Sequence, residues 1–316
     1  MKLTWVYQYI SLNQPVIKIL QTLRKCANKD IIPILDIEDS LQIPLQPEKS
    51  LMLKEKARGI LCEVLSIAKK SNLSLKASIR INSLDSQEFI RDIKVLKGIG
   101  EEISWGSIIL PKVHSSSILQ DYIKELEGIR YDELVVIAES KAFFENSDEI
   151  ISTCKENAIS KIHFGHWDYY YDIKEFPVPL PDDQHLWQQV SLLVRSMESA
   201  DMHYIHTPYC FLMKHDVFKS ITCYIDHITT LPFGVSCLSF SQAIAASRNN
   251  ENIQPVVPSL HPMTQVEKII MARELVKFFN RPVPPEFSFN IDTENYRFYA
   301  PHEYLNALAF LERSQG

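Results

Sequence analysis

Short apolar runs rich in β-branched residues alternate along the chain with longer stretches of helical periodicity. Strand-like runs occupy residues 3–9, Ile31–Asp36, Leu75–Asn82, Ser107–Lys112, Glu133–Glu139, Ser160–Gly165, His203–His206 and Val235–Ser239. Between them, residues 14–27 and 48–70 read as amphipathic helices, further helices begin near Ser86 and Ser115, and another runs to about Cys154. Eight strands, each followed by helical sequence, predict an α/β fold of the (β/α)8 TIM-barrel type. A doubly wound sheet would more usually show fewer strands and a glycine-rich first turn. Two proline-rich stretches punctuate the pattern. Phe176–Pro181 reads as an extended loop after the sixth strand, and Arg281–Pro285 separates the last barrel helix, about 262–279, from a C-terminal segment. Residues 1–280 are thus expected to form the barrel domain. Residues 281–316 form a C-terminal extension with a short extended piece and one short helix near 302–314. That extension is too small to fold alone and must pack on the barrel or on a neighbouring subunit.

In such a barrel the chemistry sits at the C-terminal ends of the strands. The second strand breaks into three carboxylates within four positions, Asp36, Glu38 and Asp39. Strand periodicity puts Asp36 and Glu38 on one face and Asp39 on the other, if the strand runs that far. Asp39-Ser40 can equally cap a turn. The third strand ends in Arg80 and Asn82, the fourth in Lys112, the fifth in Glu139, and the turn after the sixth carries Asp168. Each has a plain structural reading as an ion pair, a helix cap or a solvated charge. Five consecutive strands ending this way form a constellation. Glu139 and Asp168, from different strands, could hold a hard divalent ion such as magnesium, which takes one or two carboxylates and keeps several waters. An adjacent arginine could hold a substrate carboxylate bidentately. Metal plus arginine stabilises an enolate or a 2-oxo acid.

Composition narrows the alternatives. The net charge is −6 with no basic block, which disfavours nucleic acid as a partner. No apolar run reaches the length of a membrane span, and residues 1–7 read as a first strand rather than a signal peptide. Six scattered cysteines without a CxxC pair are expected to be reduced thiols of a cytoplasmic protein. Glycine is scarce, and no GxGxxG, Walker or GxSxG pattern occurs, so a dinucleotide site, a P-loop and a nucleophile elbow have no sequence support. His163/His166 and His203/His206 share HxxH spacing, but an odd offset in a strand sends the rings to opposite faces, against a zinc site. The aromatic run Trp167, Tyr169, Tyr170 and Tyr171 either lines a pocket or covers the barrel rim.

The same residues carry a family pattern. Leu35-Asp36-Ile37-Glu38-Asp39-Ser40 looks like an L-D-L-E-D-A/S motif, and Lys54 to Arg58 like the K-x-x-A-R that follows it. Ile79-Arg80-Ile81-Asn82-Ser83 with Arg91-Asp92, Leu110-Pro111-Lys112-Val113, Glu139-Ser140 with Asn146, and Phe164-Gly165 with Asp168 and Asp172 continue it in order. Over about residues 3–310 the chain resembles the citrate lyase β-subunit-like group. That group's relatives include malyl-CoA and citramalyl-CoA lyases, and it is a branch of the phosphoenolpyruvate/pyruvate barrel superfamily. The resemblance implies a magnesium-dependent C–C lyase or aldolase, making or breaking a bond between an enolate and a 2-oxo acid or carboxylate. It implies that Glu139 and Asp168 bind Mg2+ and that Arg80 grips the oxo acid. Asp36, Lys112 and Gly165 are expected around the substrate. Glu38 and Asp39 are expected in the metal's outer shell, orienting Lys54 or Arg80. The family often uses a CoA or acyl-carrier thioester and assembles as a trimer or hexamer.

The chain also departs from the pattern. The late G-K-x-C-I-H-P-x-Q motif appears as Gly234 to Gln242 without its Lys, His and Pro, and His114 stands where Glu is common. Thioester-acting members carry D-G-x-M-I-D-x-P, whose second Asp reaches a neighbouring subunit as acid/base. Glu294 to Pro301 aligns with it and puts Tyr299 at that position. An unperturbed tyrosine, titrating near ~10, is a poor base at neutral pH. The thioester half is therefore expected to be altered, and the substrate to be other than an acyl-CoA. Two alternatives stand beside this reading: a Schiff-base aldolase using Lys112, and a catalytically altered relative acting as a binding or assembly component.

Overall fold

A computed structural model describes residues 2–71, 76–99, 103–247, 262–281 and 291–314. Leu75, at the start of the expected third strand, and the prolines at 282, 284 and 285 lie outside the described residues. Eight parallel strands close a barrel in sequence order: β1 (Leu3–Ser11), β2 (Ile32–Asp36), β3 (Ser78–Arg80), β4 (Trp105–Leu110), β5 (Tyr131–Ala138), β6 (Lys161–Phe164), β7 (His203–His206) and β8 (Phe233–Cys237). β8 returns to β1 through pairs running from Leu3↔Phe233 to Gln8↔Cys237, so no strand edge is left open. The helices of the outer ring are α1 (Val16–Ala27), α2 (Pro47–Lys70), α3 (Gln87–Ile99), α4 (Ser116–Glu125), α5 (Lys141–Glu145), α6 (Ser147–Glu156), α7 (His166–Asp172), α8 (Gln184–Ser199), α9 (His215–Ile228) and α10 (Phe240–Ser247). The long helix expected up to Cys154 is two helices, because the chain bends at Asn146, whose side-chain amide donates to the His114 carbonyl at 3.1 Å.

Side-chain alternation sorts the core into two layers. Tyr7, Ile34, Ile109, Val135, Ile137 and Ile205 pack together as one cluster inside the barrel. Their strand neighbours Val6, Leu35, Ile108, Leu110, Val136 and Tyr204 pack outward against the helices. The same alternation carries the inward face upward: from Ile34 to Asp36 on β2, and from Ile137 to Glu139 beyond β5. At the opposite end Lys161 plugs the barrel floor, 2.7 Å from Glu133 and 4.1 Å above the Trp5 ring.

Strand β3 is only three residues long for a specific reason. The Asn82 amide leaves the sheet and donates to Asp92 Oδ2 at 2.8 Å, and the Asn82 side chain donates to the same oxygen at 2.7 Å. Asp92 in turn accepts from Arg58 Nε at 2.8 Å, while Arg58 Nη2 reaches Glu88 at 2.6 Å. Arg58, Glu88 and Asp92 are all buried. Lys54 joins this network by donating to Asn82 Oδ1. Its ammonium is held here, at the end of β3, and it is not among the residues that line the barrel mouth. These residues lock α2, α3 and the end of β3 together.

Beyond the ring, α11 (Gln265–Phe279) begins with a Thr264–Glu267 capping box and packs on α12 (Pro301–Arg313) through Phe176, Ala272, Leu275 and Ala307. A short hairpin, β9 (Ile291–Asp292) and β10 (Arg297–Phe298), leads into α12. The Phe298 amide donates to Cys210 O at 2.9 Å, the Leu212 amide to Tyr296 O at 2.8 Å, and Arg297 pairs with Glu303 at 2.8 Å. The C-terminal segment thus folds back over the mouth of its own barrel. The six cysteines are unpaired, five of them buried. Among the described residues no helix is long and apolar enough to cross a membrane.

Breaking a buried ion pair strands a charge and costs about 3–5 kcal/mol. Asp92→Ala is therefore expected to lower stability by about that amount, read as a shifted urea midpoint. A midpoint within error of wild type would show that the Arg58–Asp92 clamp is not what holds α2 and α3.

Candidate functional site

The site grows from the end of β2. The strand stops at Asp36, and a single 3-10 turn, Asp39–Leu41, follows, with the Glu38 carboxylate accepting from the Asp39 amide at 3.1 Å. Because the chain turns here, Asp36, Glu38 and Asp39 do not split between two faces. All three converge on Arg80. Asp36 grips it bidentately, 2.8 Å to Nε and 2.7 Å to Nη2, while Nη1 lies 3.0 Å from Asp39 and 3.2 Å from Glu38. The Asp36 oxygens also accept from the amides of Glu38 and Ser40 at 3.1 and 3.2 Å. Asp36 is fully engaged and acts as the brace that fixes Arg80, whose guanidinium also lies 4.9 Å from the Tyr9 ring centre.

A second ion group faces the first. Lys112 has a positive φ of 55°, a backbone shape that turns its amide onto Glu139 Oε1 at 2.6 Å. Its ammonium contacts Asp168 and lies 3.6 Å from Glu139. Glu139 is buried against Gly165, where an added Cβ would stand 2.7 Å from both Glu139 Cβ and Oε2. Gly165 is therefore required by space. Asp168, in the first turn of α7, lies 3.2 Å from Nε2 of buried His302 on α12. Asp39, Asp168 and His302 bring one ligand atom each within 4.8 Å of one another, a group able to hold a metal ion.

Burial and charge set the protonation of this array. Burial, reinforced by Asp39, pushes the Glu38 carboxyl well above its ordinary value. Burial likewise raises Glu139, against the opposing pull of Lys112. Burial would raise Asp39 too, but Arg80, Lys112 and His302 hold it well below the usual range. Burial would lower Lys112, but Glu139, Asp39 and Glu38 outweigh it and keep an ammonium. Burial pushes His302 down to about 4, so its imidazole is neutral at pH 7.

These groups open into a cavity of about 770 Å3 at the C-terminal end of the barrel. Asp36, Asp39, Arg80, Glu139, Gly165, Asp168 and His302 line it together with Tyr9, His163, Trp167 and Phe298. The sequence-marked residues therefore divide. Arg80, Asp36, Glu38, Asp39, Lys112, Glu139, Gly165 and Asp168 come together, whereas Lys54 and Tyr299 do not. Tyr299 lies outside the cavity lining, 4.6 Å from the Phe278 ring and 4.2 Å from the Arg297 guanidinium, and burial raises its hydroxyl against the pull of Arg297. Of the aromatic run, Trp167 lines the cavity, Tyr169 and Tyr170 are core, and Tyr171 is partly exposed beside His302. Neither HxxH pair forms a metal-holding group among the described residues. His302 was not legible as a site residue. Its only signal is the Pro301-His302-Glu303 helix start, and nothing local says that this helix docks over the barrel mouth.

A closed (β/α)8 barrel with paired carboxylates, an arginine and a lysine at its strand ends defines the class as a TIM-barrel protein with an enzyme-like site. The HpcH/HpaI aldolase/citrate lyase family model matches residues 24–181, half of the chain, and the chain belongs to that family. No curated protein sequence matches it. Similar solved structures include RipC from Yersinia pestis, at 18% identity and a TM-score of 0.57, covering 79% of this chain and 97% of that one. Protein CitE from Mycobacterium tuberculosis in complex with magnesium, acetoacetate and coenzyme A is 13% identical with a TM-score of 0.59, covering 100% of both chains. The citrate lyase β subunit from M. tuberculosis complexed with oxaloacetate and magnesium is 14% identical with a TM-score of 0.57, covering 77% of this chain and 94% of that one. At these identities the likeness establishes the fold.

Two outcomes follow from this geometry. Gly165→Ala forces Glu139 aside and is expected to weaken any ligand held at Glu139 or Asp168 while leaving the far-UV circular dichroism of the barrel in place; unchanged binding would show that the contact is slack. The second concerns pH. Burial pushes His163 and His206 down to about 3 and His166 well below its ordinary value. Unfolded histidines take up protons near ~6.5, so unfolding consumes protons that the folded state refuses. Stability is present above pH 6.5 and is lost as pH falls toward 3. Urea midpoints from pH 7.5 to 5 should therefore fall, and the fall should be shallower by about one proton in His206→Asn. Identical slopes would show that His206 is not held neutral.

Proposed function

We propose that the protein is a divalent-metal-dependent C–C lyase or aldolase that joins or separates an enolate and a 2-oxo acid. The observation that carries this reading is an excess of carboxylate in a closed barrel mouth. Among the described residues Asp36, Glu38, Asp39, Glu139 and Asp168 pair with two charged cations, Arg80 and Lys112, and with the neutral His302. Two hard oxygens and a neutral imidazole converge within 4.8 Å, a donor set that fits a divalent cation. Asp168, with Asp39, His302 and Glu139 beside it, would hold the ion. Magnesium is the choice the M. tuberculosis CitE complexes support, since magnesium is bound there with acetoacetate or oxaloacetate. When bound, the ion supplies positive charge for the oxygen on which negative charge develops.

The chain's own residues do the rest. Asp36 fixes the plane of Arg80 and, with Glu38 and Asp39, takes up all but one of its N–H groups, leaving one Nη2 proton to offer a substrate carboxylate. Lys112 neutralises Glu139 and Asp168 from the side. Phe298, Ala300, Pro301 and His302 cover the mouth and restrict water. An imine at Lys112 needs a neutral amine, and the surrounding carboxylates keep this amine charged. One observation favours the second reading, a relative that binds without converting: Tyr299, at the family's acid/base position, lies outside the cavity.

Calorimetric titration of Mg2+ with pyruvate, oxaloacetate and glyoxylate tests both. Metal-dependent oxo-acid binding is expected in wild type, weakened at least roughly 100-fold in Glu139→Gln and Asp168→Asn. Tyr299→Phe should bind within about threefold of wild type. No metal-dependent binding would end the lyase reading. Binding with no turnover of any oxo-acid product would promote the second. Adding coenzyme A to the same cell reads out whether that carrier binds beside the oxo acid.

A further inference from the structure

Of Asp39, Asp168 and His302, only the histidine comes from outside the barrel and its ring of helices. Asp39 follows β2 and Asp168 sits in α7, whereas His302 is the second residue of α12. Its place beside Asp168 therefore depends on where α12 begins and on what fixes that start.

One carboxylate fixes it. Ala300, at the N-cap, has no side-chain oxygen to offer the free amides of the first turn. Glu303 closes the turn from within. Its amide donates to the Ala300 carbonyl at 3.0 Å, and its Oε2 accepts from the Ala300 amide at 2.9 Å. Its other oxygen, Oε1, accepts from Arg297 Nη2 at 2.8 Å. Arg297 is anchored in turn to the barrel rim. It forms a backbone bridge with Phe211, on the segment after β7, beside the Leu212–Tyr296 and Phe298–Cys210 bonds. Its guanidinium lies 4.2 Å from the Tyr299 ring centre and 5.4 Å from that of Phe211. Glu303 thus ties the first turn of α12 to the rim, and the neighbouring His302 is carried to 3.2 Å from Asp168.

Stability is a weak reason for this pair. Arg297 and Glu303 are both buried, and neither lines the cavity. Both charges are stripped of water, so a buried ion pair is often no more stabilising than apolar side chains of the same volume. Apolar packing, however, has no direction. The two Glu303 oxygens answer two different donors, and that leaves the carboxylate, and the turn it closes, a single orientation.

We propose that Glu303 is a positioning residue, which Arg297 holds in place and which sets His302 beside Asp168 and so raises the affinity of the metal site. The inference rests on the metal-site reading above and adds the residue that seats its histidine.

The test is calorimetric titration of the full chain with Mg2+ alone. Glu303→Gln keeps the shape of the side chain but has one acceptor oxygen for two donors. It is expected to weaken Mg2+ binding about tenfold, as His302→Ala is. The combined variant is expected to bind no more weakly than His302→Ala by itself, since Glu303 acts through that ring. Should Glu303→Gln fail to fold by far-UV circular dichroism, Arg297→Lys takes its place in the same cycle, keeping the charge and losing the planar fork. A urea midpoint that falls while Mg2+ affinity stays at the wild-type value would show a merely structural pair and overturn the proposal. Losses that multiply in the combined variant would overturn it too, because Glu303 would then act on the ion through its charge. Asp168→Asn separates this proposal from the metal reading. Affinity lost there but kept in His302→Ala ends the proposal and leaves the metal reading standing, whereas no Mg2+ binding in wild type ends both.

Discussion

The constraint on which the site depends is the cost of keeping several carboxylates buried around one barrel mouth. Asp36, Glu38, Glu139 and Asp168 are buried, and Asp39 is nearly so. Isolated charges in such surroundings would neutralise or unfold the protein. Here they are divided between two cations at the ends of the neighbouring strands β3 and β4. Arg80 collects Asp36, Glu38 and Asp39, and Lys112 collects Glu139 and Asp168. Two cations for five acids leave negative charge over, and burial, with Asp39 adding to it, raises the Glu38 and Glu139 carboxyls. A divalent ion would relieve the same surplus without a proton. The electrostatics that make this array expensive are the electrostatics that would select its ligand.

That array separates residues that look equivalent in the sequence. Lys54, Arg58, Asn82 and Asp92 belong to the same run of family motifs as Asp36, Arg80 and Lys112. Yet the first group forms a network at the side of the barrel and the second lines or borders the cavity. The two meet at β3, where Arg80 is the last strand residue and Asn82 is the first to leave. The scaffold network pins the chain two residues beyond Arg80, and so helps set where the guanidinium points. Asp172 plays a similar supporting part on the other wall, accepting from the Lys141 amide at 2.7 Å and tying α7 to α5.

The barrel was legible because each strand carries its own local signal, and period-two alternation then puts strand-end residues inside. Arg80 and Glu139 follow from that logic alone, whereas Lys112 is brought in by its positive φ and Asp168 by the first turn of α7. What strand logic could not reach was anything set by a turn or by a distant segment. Glu38 and Asp39 share one partner because the chain turns after Asp36, where a longer strand would have separated them. Lys54 has the composition of a site residue, but only the packing of α2 against α3 shows which way it faces. His302 comes to Asp168 through a hairpin, an Arg297–Glu303 pair and backbone bonds to Cys210 and Leu212, and only these last two, far away in sequence, tie the segment to the barrel mouth.

The C-terminal segment changes what the departures from the family pattern mean. Read along the sequence, Tyr299 looks like the loss of an acid/base group. In the folded chain the segment has turned so that Phe298, Ala300, Pro301 and His302 face the cavity, while Tyr299 packs on Phe278 and Arg297. Tyr299 therefore serves as packing, and the polar contribution of the segment to the cavity comes from His302, which burial keeps neutral. A neutral imidazole beside Asp168 can offer a lone pair or a hydrogen bond where a carboxylate could offer only more negative charge to a surplus already present. A tyrosine packed outside the cavity and a neutral histidine inside it together add no charge to the carboxylates gathered around Arg80 and Lys112.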